Sequence, residues 1–153
     1  MLNRRRILTL VSATALAPVA AAAAAPRRLK VYKTASCLCC QGWVAAMERA
    51  GYAAEIVLLE DISPVWRKHG VPDALSSCHM ALVEGYVTVG HVPPADVDRL
   101  LRTRPKAIGL LVPGMPVGSP GMESRSGKRE SFDTLLLSRD GKTTVFARHP
   151  GTG

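Results

Sequence analysis

The sequence predicts an α/β domain, and three observations carry that expectation. β-rich runs alternate with helix-periodic runs between residues 29 and 111. The helical runs carry cap or stop residues at their ends. The first strand-to-helix junction, "TASCLCCQGW" (Thr34 to Trp43), holds three of the chain's four cysteines.

"LKVYKT" (Leu29 to Thr34) reads as a strand, Leu29 and Val31 alternating with Lys30 and Tyr32, with the stem of Lys33 continuing the apolar side. Ser36 is a candidate cap for the helix that follows. There Cys40, Trp43, Val44 and Met47 fall at i, i+3, i+4 and i+7, an inward stripe, and Gly51 is the expected stop. "AEIVLLE" (Ala54 to Glu60) has the near-continuous apolar character of a buried parallel strand. Ser63-Pro64 supplies a cap and a first-turn proline for a short helix ending near Gly70. After Val71-Pro72, "CHMALVEGYVTVGHV" splits at Glu84-Gly85 into two alternating runs, a β-hairpin. "PPADVDRLLRTRP" predicts a helix burying Val97, Leu100 and Leu101, with Asp96 and Asp98 as first-turn charges favoured by the helix dipole. Strand, helix, strand, helix, hairpin, helix is the order of a thioredoxin-like domain, a fold that keeps its chemistry at the start of the first helix.

The last third reads as an extension of that domain. "KAIGLLV" predicts a further strand, "PGMPVGSPGMESRSGKRES" a loop too long to be only a turn, and "FDTLLLSRDGKTTVFARH" a hairpin on a two-residue Asp140-Gly141 turn. The two Pro-Gly-Met triplets aside, there is no internal repeat.

The chain opens "MLNRRRILTLVSATALAPVAAAAAAPRR". Three arginines, an apolar run and small residues predict a secretory signal over residues 1–25, cut not directly before Pro26 but one or a few residues earlier. Arg4-Arg5-Arg6-Ile7-Leu8 also fits a twin-arginine signal. Residues 26–153 then form the mature domain, about 128 residues, enough for one real core. Its formal charge falls from +8 to +5, because the signal carries away three arginines and no acids. The remaining basic residues are scattered among few aromatics, which speaks against nucleic-acid binding. No second apolar run is long enough to cross a bilayer, so no stable membrane insertion is expected after cleavage.

Four cysteines in an exported chain ordinarily mean two structural disulfides. Here Cys37, Cys39 and Cys40 crowd together and only Cys78 is distant, so at most one long staple is possible. Cys37 and Cys40 make a C-x-x-C frame with Cys39 inserted. Thiols at a helix N-terminus have lowered pKa values, and thiolates exchange disulfides or bind soft metals. A third neighbouring thiol invites wrong pairings in disulfide exchange, whereas a metal site gains from each sulfur. Such a set selects Cu(I), with Zn(II) and iron–sulfur clusters as competitors. Cys78 follows Val71-Pro72 closely, where a thioredoxin-like domain would bring it beside Cys37 and Cys40; the alternative is a buried apolar cysteine. Met115 and Met122 sit in matching triplets seven residues apart, either as thioether ligands or as gap-filling side chains over the core. His79 directly follows Cys78, and in a regular strand the two would face opposite ways. His91, at the end of the hairpin, reads as a surface or hydrogen-bonded residue, and Met47 as core. No G-x-S-x-G, H-E-x-x-H or phosphate-cradling loop occurs.

"VYKTASCLCCQGWVAAMERAGY", "VPDALSSCHMALVEGYVTVGHVP" and "AIGLLVPGMPVGSPGME" together resemble the small exported metal-binding family typified by CopG-like copper-resistance proteins. The resemblance covers nearly the whole mature chain. It implies a thioredoxin-like fold, a periplasmic location and copper held by Cys37, Cys39, Cys40 and Cys78, with His79, Met115 and Met122 matching further candidate ligands. Leu38 stands where that motif often has glycine. The resemblance also implies Cu(I)/Cu(II) interconversion. Four sulfurs in one pocket could bridge several Cu(I) ions, and a periplasmic copper carrier or efflux system is the natural partner. The competing reading is a thiol–disulfide oxidoreductase with Cys37 as nucleophile and Cys40 as resolving thiol. A third is a redox enzyme acting on copper itself.

Overall fold

The computed structural model describes residues 25–152. The expected signal segment lies outside the described residues apart from its last position, Ala25. The elements are β1 (Arg27–Lys33), α1 (Cys39–Arg49), β2 (Tyr52–Leu58), α2 (Ser63–Lys68), a 3-10 turn (Asp73–Leu75), β3 (His79–Val83), β4 (Tyr86–Val89), α3 (Pro94–Thr103), β5 (Ala107–Leu111), β6 (Phe132–Ser138) and β7 (Thr143–His149). This is a mixed α/β architecture on one seven-stranded sheet, in the order β2-β1-β3-β4-β5-β6-β7. β1 pairs parallel with β2 and β4 with β5; every other neighbouring pair is antiparallel. The last third therefore continues the same sheet.

The two periodicities of the sequence account for the core. Cys40, Trp43, Val44 and Met47 are all buried on one side of α1. Trp43, Val44 and Met47 pack with Leu29 and Val31 of β1, Ala81 and Val83 of β3, and Val97, Leu100 and Leu101 of α3. A second cluster joins Met80, Val87, Val89 and Leu111 to Val65 and Trp66 of α2. Helices thus cover both faces of the sheet, and alternation along β3 decides which side chains meet which helix.

Several expectations need correction. β2 is parallel, as read, but it is an edge strand: Ile56 and Leu58 are 49% and 58% exposed. Its apolar run gives no sign that one flank lacks a neighbour. Ser36 does not cap α1; its hydroxyl lies 3.2 Å from that of Thr34, and the cap position is Leu38 in helical geometry. At α2 the first-turn proline is present, but the cap position is Ile62, and Asp61 accepts the Ser63 N–H at 2.8 Å. Glu84-Gly85 forms the tight turn expected, both residues at positive φ. The final hairpin turns instead through Arg139, Asp140 and Gly141, closed by the Ser138 N–H donating to the Lys142 carbonyl. Asp96 is no simple surface charge: it is buried.

Candidate metal centre

The β1–α1 junction presents the cysteine cluster at one edge of the core. The Cys37 N–H donates to the Thr34 carbonyl at 3.2 Å, and that turn delivers the chain into α1. Cys40 then points inward and is buried, while Leu38 is turned out and 75% exposed. Cys37 and Cys40, with Cα atoms 5.6 Å apart across the first turn, are joined as a disulfide. Cys39 and Cys78 are free thiols.

Cys78 comes from the segment just before β3, and the structure brings it to the triplet. Its Sγ lies 3.8 Å from that of Cys39, which in turn lies 3.6 Å from that of Cys37. Cys40 Sγ approaches the carbonyl of Cys78 at 3.7 Å. All four sulfurs fall within 4.8 Å of one another. The partner of Cys78 is therefore Cys39 more directly than the Cys37 and Cys40 frame. Because Cys78 precedes the strand, alternation does not separate it from His79, whose Nδ1 lies 3.3 Å from its Sγ.

The long loop contributes in two ways. Met115, 52% exposed, places its Sδ 3.8 Å from Cys39 Sγ. The second Pro-Gly-Met triplet packs on α1. A Cβ at Gly121 would lie 2.4 Å from the Trp43 nitrogen, and one at Gly42 would lie 2.7 Å from Gly121 Cα. Only paired glycines allow the two backbones to approach so closely. Met122 is half-buried, and its recorded hydrogen bonds are made by its backbone: the N–H donates to Ser119, and the carbonyl accepts from Gly118. Those backbone bonds close the loop on itself.

His91 is the residue that sequence reasoning undervalued. It is buried, with Nδ1 2.8 Å from the Pro120 carbonyl and Nε2 3.6 Å from Cys78 Sγ. Its ring stands edge-on to His79, which also lies against Trp43. Trp43 in turn donates to the Val92 carbonyl at 2.9 Å, fixing the segment that carries His91. The only sequence hint was its place in a segment flanked by Gly90 and Pro93. His69 ends α2, and His149 bonds Asp96; neither belongs to the cluster.

Burial governs the protonation states. It pushes the Cys78 thiol up to about 11, with the neighbouring Cys39 adding to the rise and a hydrogen bond from Ser77 opposing it. Cys78 lies outside the helix terminus, so the lowering expected of thiols there does not extend to it. Metal binding here must release a proton. Burial, with His91 nearby, drives His79 down to about 3; burial also lowers His91, against the Pro120 hydrogen bond. Both rings are neutral at physiological pH, the form that ligates metals. A cavity of about 600 Å³ opens elsewhere, beside Phe132, Asp133, Arg148 and His149. The sulfur pocket needs no such volume, because an ion occupies the space between ligand atoms.

A family model described as "Protein of unknown function, DUF411" matches residues 75–122, which include Cys78, His79, His91 and both Pro-Gly-Met triplets. Two solved structures of a protein described as copper resistance protein CopG, form 1 and form 2, are similar to this chain. Each is 38% identical, covers 82% of this chain and 99% of the other, and superposes with a TM-score of 0.77. No curated protein matches the chain.

Proposed function

Because the chain belongs to the family of the copper resistance protein CopG, we propose that it is an exported copper-handling protein that binds Cu(I) through Cys37, Cys39, Cys40 and Cys78. The observation that carries this reading is the convergence of four sulfurs from two remote segments to within 4.8 Å. The donor set fits the ion: thiolates and a thioether are soft, and soft ligands favour Cu(I) over the harder divalent ions. Met115 is the thioether placed to join them, 3.8 Å from Cys39. Disulfide sulfurs are poor ligands, so loading of the full set requires reduction of Cys37–Cys40. Bridging thiolates would let the reduced pocket hold several Cu(I) ions.

The core is thioredoxin-like in this reading. Its support is the strand order β2-β1-β3-β4, with α1 after β1 and the cysteines at the helix start. Export to the periplasm is supported by the arginine-led apolar leader, and no helix among the described residues is long and apolar enough to cross a membrane. A periplasmic copper carrier or efflux system is the partner that would receive the ion.

The disulfide favours a second, compatible reading, in which the protein interconverts the copper oxidation states. As the Cys37 and Cys40 thiols pass to the disulfide they release two electrons and two protons. Two Cu(II) ions take one electron each and become Cu(I), for which Cys39, Cys78 and Met115 remain as sulfur ligands. Anaerobic reconstitution of reduced protein, with metal and thiol counting, tests the binding claim; retention of zinc with loss of copper overturns it. Mixing reduced protein with Cu(II) in a stopped-flow instrument tests the redox claim. Turnover in the presence of a thiol reductant is expected, and no Cu(I) formation overturns it. Reduction of a disulfide substrate that survives replacement of Cys39 and Cys78 would favour the thiol–disulfide oxidoreductase instead.

A further inference from the structure

The sheet ends in two open edges, and they are guarded differently. β7 carries an extra residue, Phe146, between the partners of Thr134 and Leu135, a bulge of the kind that discourages pairing with another chain. β2 keeps an unbroken register with β1, has no proline and bears a single charge, Glu55, held by Lys30 at 3.3 Å. We propose that the free edge of β2 pairs antiparallel with the β2 edge of a second copy of this chain, continuing the sheet through a two-fold axis at Ile56.

The backbone decides which groups are on offer. The Leu59 N–H donates to the Lys33 carbonyl at 3.0 Å and so points toward β1. Alternation turns the backbone groups of Glu55 and Val57 the same way, and those of Ala54, Ile56 and Leu58 outward. The side chains of these last three lie on the face that carries Leu29 and Val31, the register partners of Ala54 and Ile56. Ala54 packs against the core there, while Ile56 and Leu58 carry its apolar surface past the last strand and are exposed. Unpaired N–H and C=O groups beside exposed aliphatic side chains are what strand addition needs.

Charge selects the partner and its direction. Exposed Arg28 and Arg49 stand at the start of β2, the first opposite Ala53 and the second ending α1. Exposed Glu60 and Asp61 follow its end. Arg28, Arg49 and Glu60 make no ion pair among the described residues. The strand is therefore basic at one end and acidic at the other. An antiparallel second copy sets each acidic end beside a basic one, whereas a parallel copy would oppose like charges.

Register follows from the same residues. Centred on Ile56, the pairing sets Ile56 opposite Ile56 and Ala54 opposite Leu58, and it uses every outward backbone group of those residues. Glu55 then faces Val57. Centred on Glu55, it would oppose two carboxylates. Centred on Val57, it would leave Ala54 opposite Glu60, beyond the strand. The cysteine junction follows Lys33, which lies opposite Leu58, so the two-fold holds the two sulfur pockets at opposite ends of the joint. The pairing needs no metal.

Sedimentation velocity of the mature chain tests it, with reductant present so that no intermolecular disulfide contributes. The expected result is a sedimentation coefficient that rises with concentration from that of one chain toward that of two. Ile56→Pro removes an outward N–H while sparing the bonds to β1, and Ile56→Lys puts a charge on the two-fold axis. Each should weaken association at least about tenfold, with circular dichroism verifying the fold. In the wild type, hydrogen exchange at the Ala54, Ile56 and Leu58 amides should slow as concentration rises. A chain that stays single up to sub-millimolar concentration overturns the proposal. So does a dimer that survives both substitutions, or one that protects β7 instead. A single chain whose β2 edge amides are slowed only by an added extended peptide overturns it in favour of a peptide ligand.

Discussion

Two buried polar clusters join the C-terminal extension to the rest of the molecule, and they are built on opposite plans. In one, Asp96 at the start of α3 accepts hydrogen bonds from Thr134 at 2.6 Å and His149 at 2.9 Å, and His149 stacks on Phe132. Each of its hydrogen-bonding side chains has a partner within the protein. In the other, Cys37 and Cys40 are joined as a disulfide, the free Cys39 and Cys78 thiols make only long contacts, and the buried Nε2 of His79 makes no close hydrogen bond. A satisfied network fastens two elements and asks nothing of solvent or ligand, whereas an unsatisfied one keeps valences for a guest. The difference separates scaffold from site more sharply than conspicuous residue types do.

Four measurements break or sharpen this contrast. The largest effect is expected from Cys78→Ser, which removes the sulfur common to the Cys39 contact and both histidines. Copper retained after anaerobic loading should fall by half or more while the far-ultraviolet dichroism is unchanged; full retention would take Cys78 out of the site. Next comes Asp96→Ala, which strands Thr134 and His149 without their acceptor and should cost about 1–3 kcal/mol in denaturant unfolding. The copper content of the folded variant should match wild type, and a parallel loss of copper would abolish the division of roles.

Acid should act through the sulfur cluster. His79 titrates near 3 when folded and near 6.5 in an unfolded chain, so below pH 6.5 the unfolded state binds the extra proton. Its contribution to stability is complete above pH 6.5 and is lost as pH falls toward 3, by up to about 1.4 kcal/mol per pH unit. Stability of metal-free protein measured across that window should lose this acid-dependent part in His79→Gln. The smallest effect belongs to Met115→Leu. The side chain is exposed, so stability should move by less than about 0.5 kcal/mol. Cu(I) affinity, measured by competition with a chromogenic chelator, should fall a few-fold; no change would reduce Met115 to a bystander.

Much of the scaffold was legible because its causes are local. The Cys40, Trp43, Val44, Met47 stripe, the Glu84-Gly85 turn and the proline opening α2 are each decided within a few residues. The cysteine convergence was readable at one remove, since element order predicted where Cys78 would land. What stayed hidden depends on partners far along the chain. His91 is defined by the carbonyl of Pro120, 29 residues later, and Asp96 by Thr134 and His149, 38 and 53 residues away. No period or motif marks a lone histidine whose tautomer is set by a loop returning from beyond the next strand. The exposure of β2 was equally invisible, because an apolar run reads the same at the edge of a sheet as at its centre.

Met115 has a chemical vulnerability that follows from its position. It is more than half exposed, beside a pocket whose other sulfurs are better sheltered, so it is the thioether that peroxide or hypochlorite meets first. Conversion to the sulfoxide replaces a soft, neutral sulfur with a polar group of much poorer affinity for a monovalent coinage metal. Oxidation of Met115 would therefore dull the rim of the pocket while leaving the fold intact, and a sulfoxide reductase could restore it.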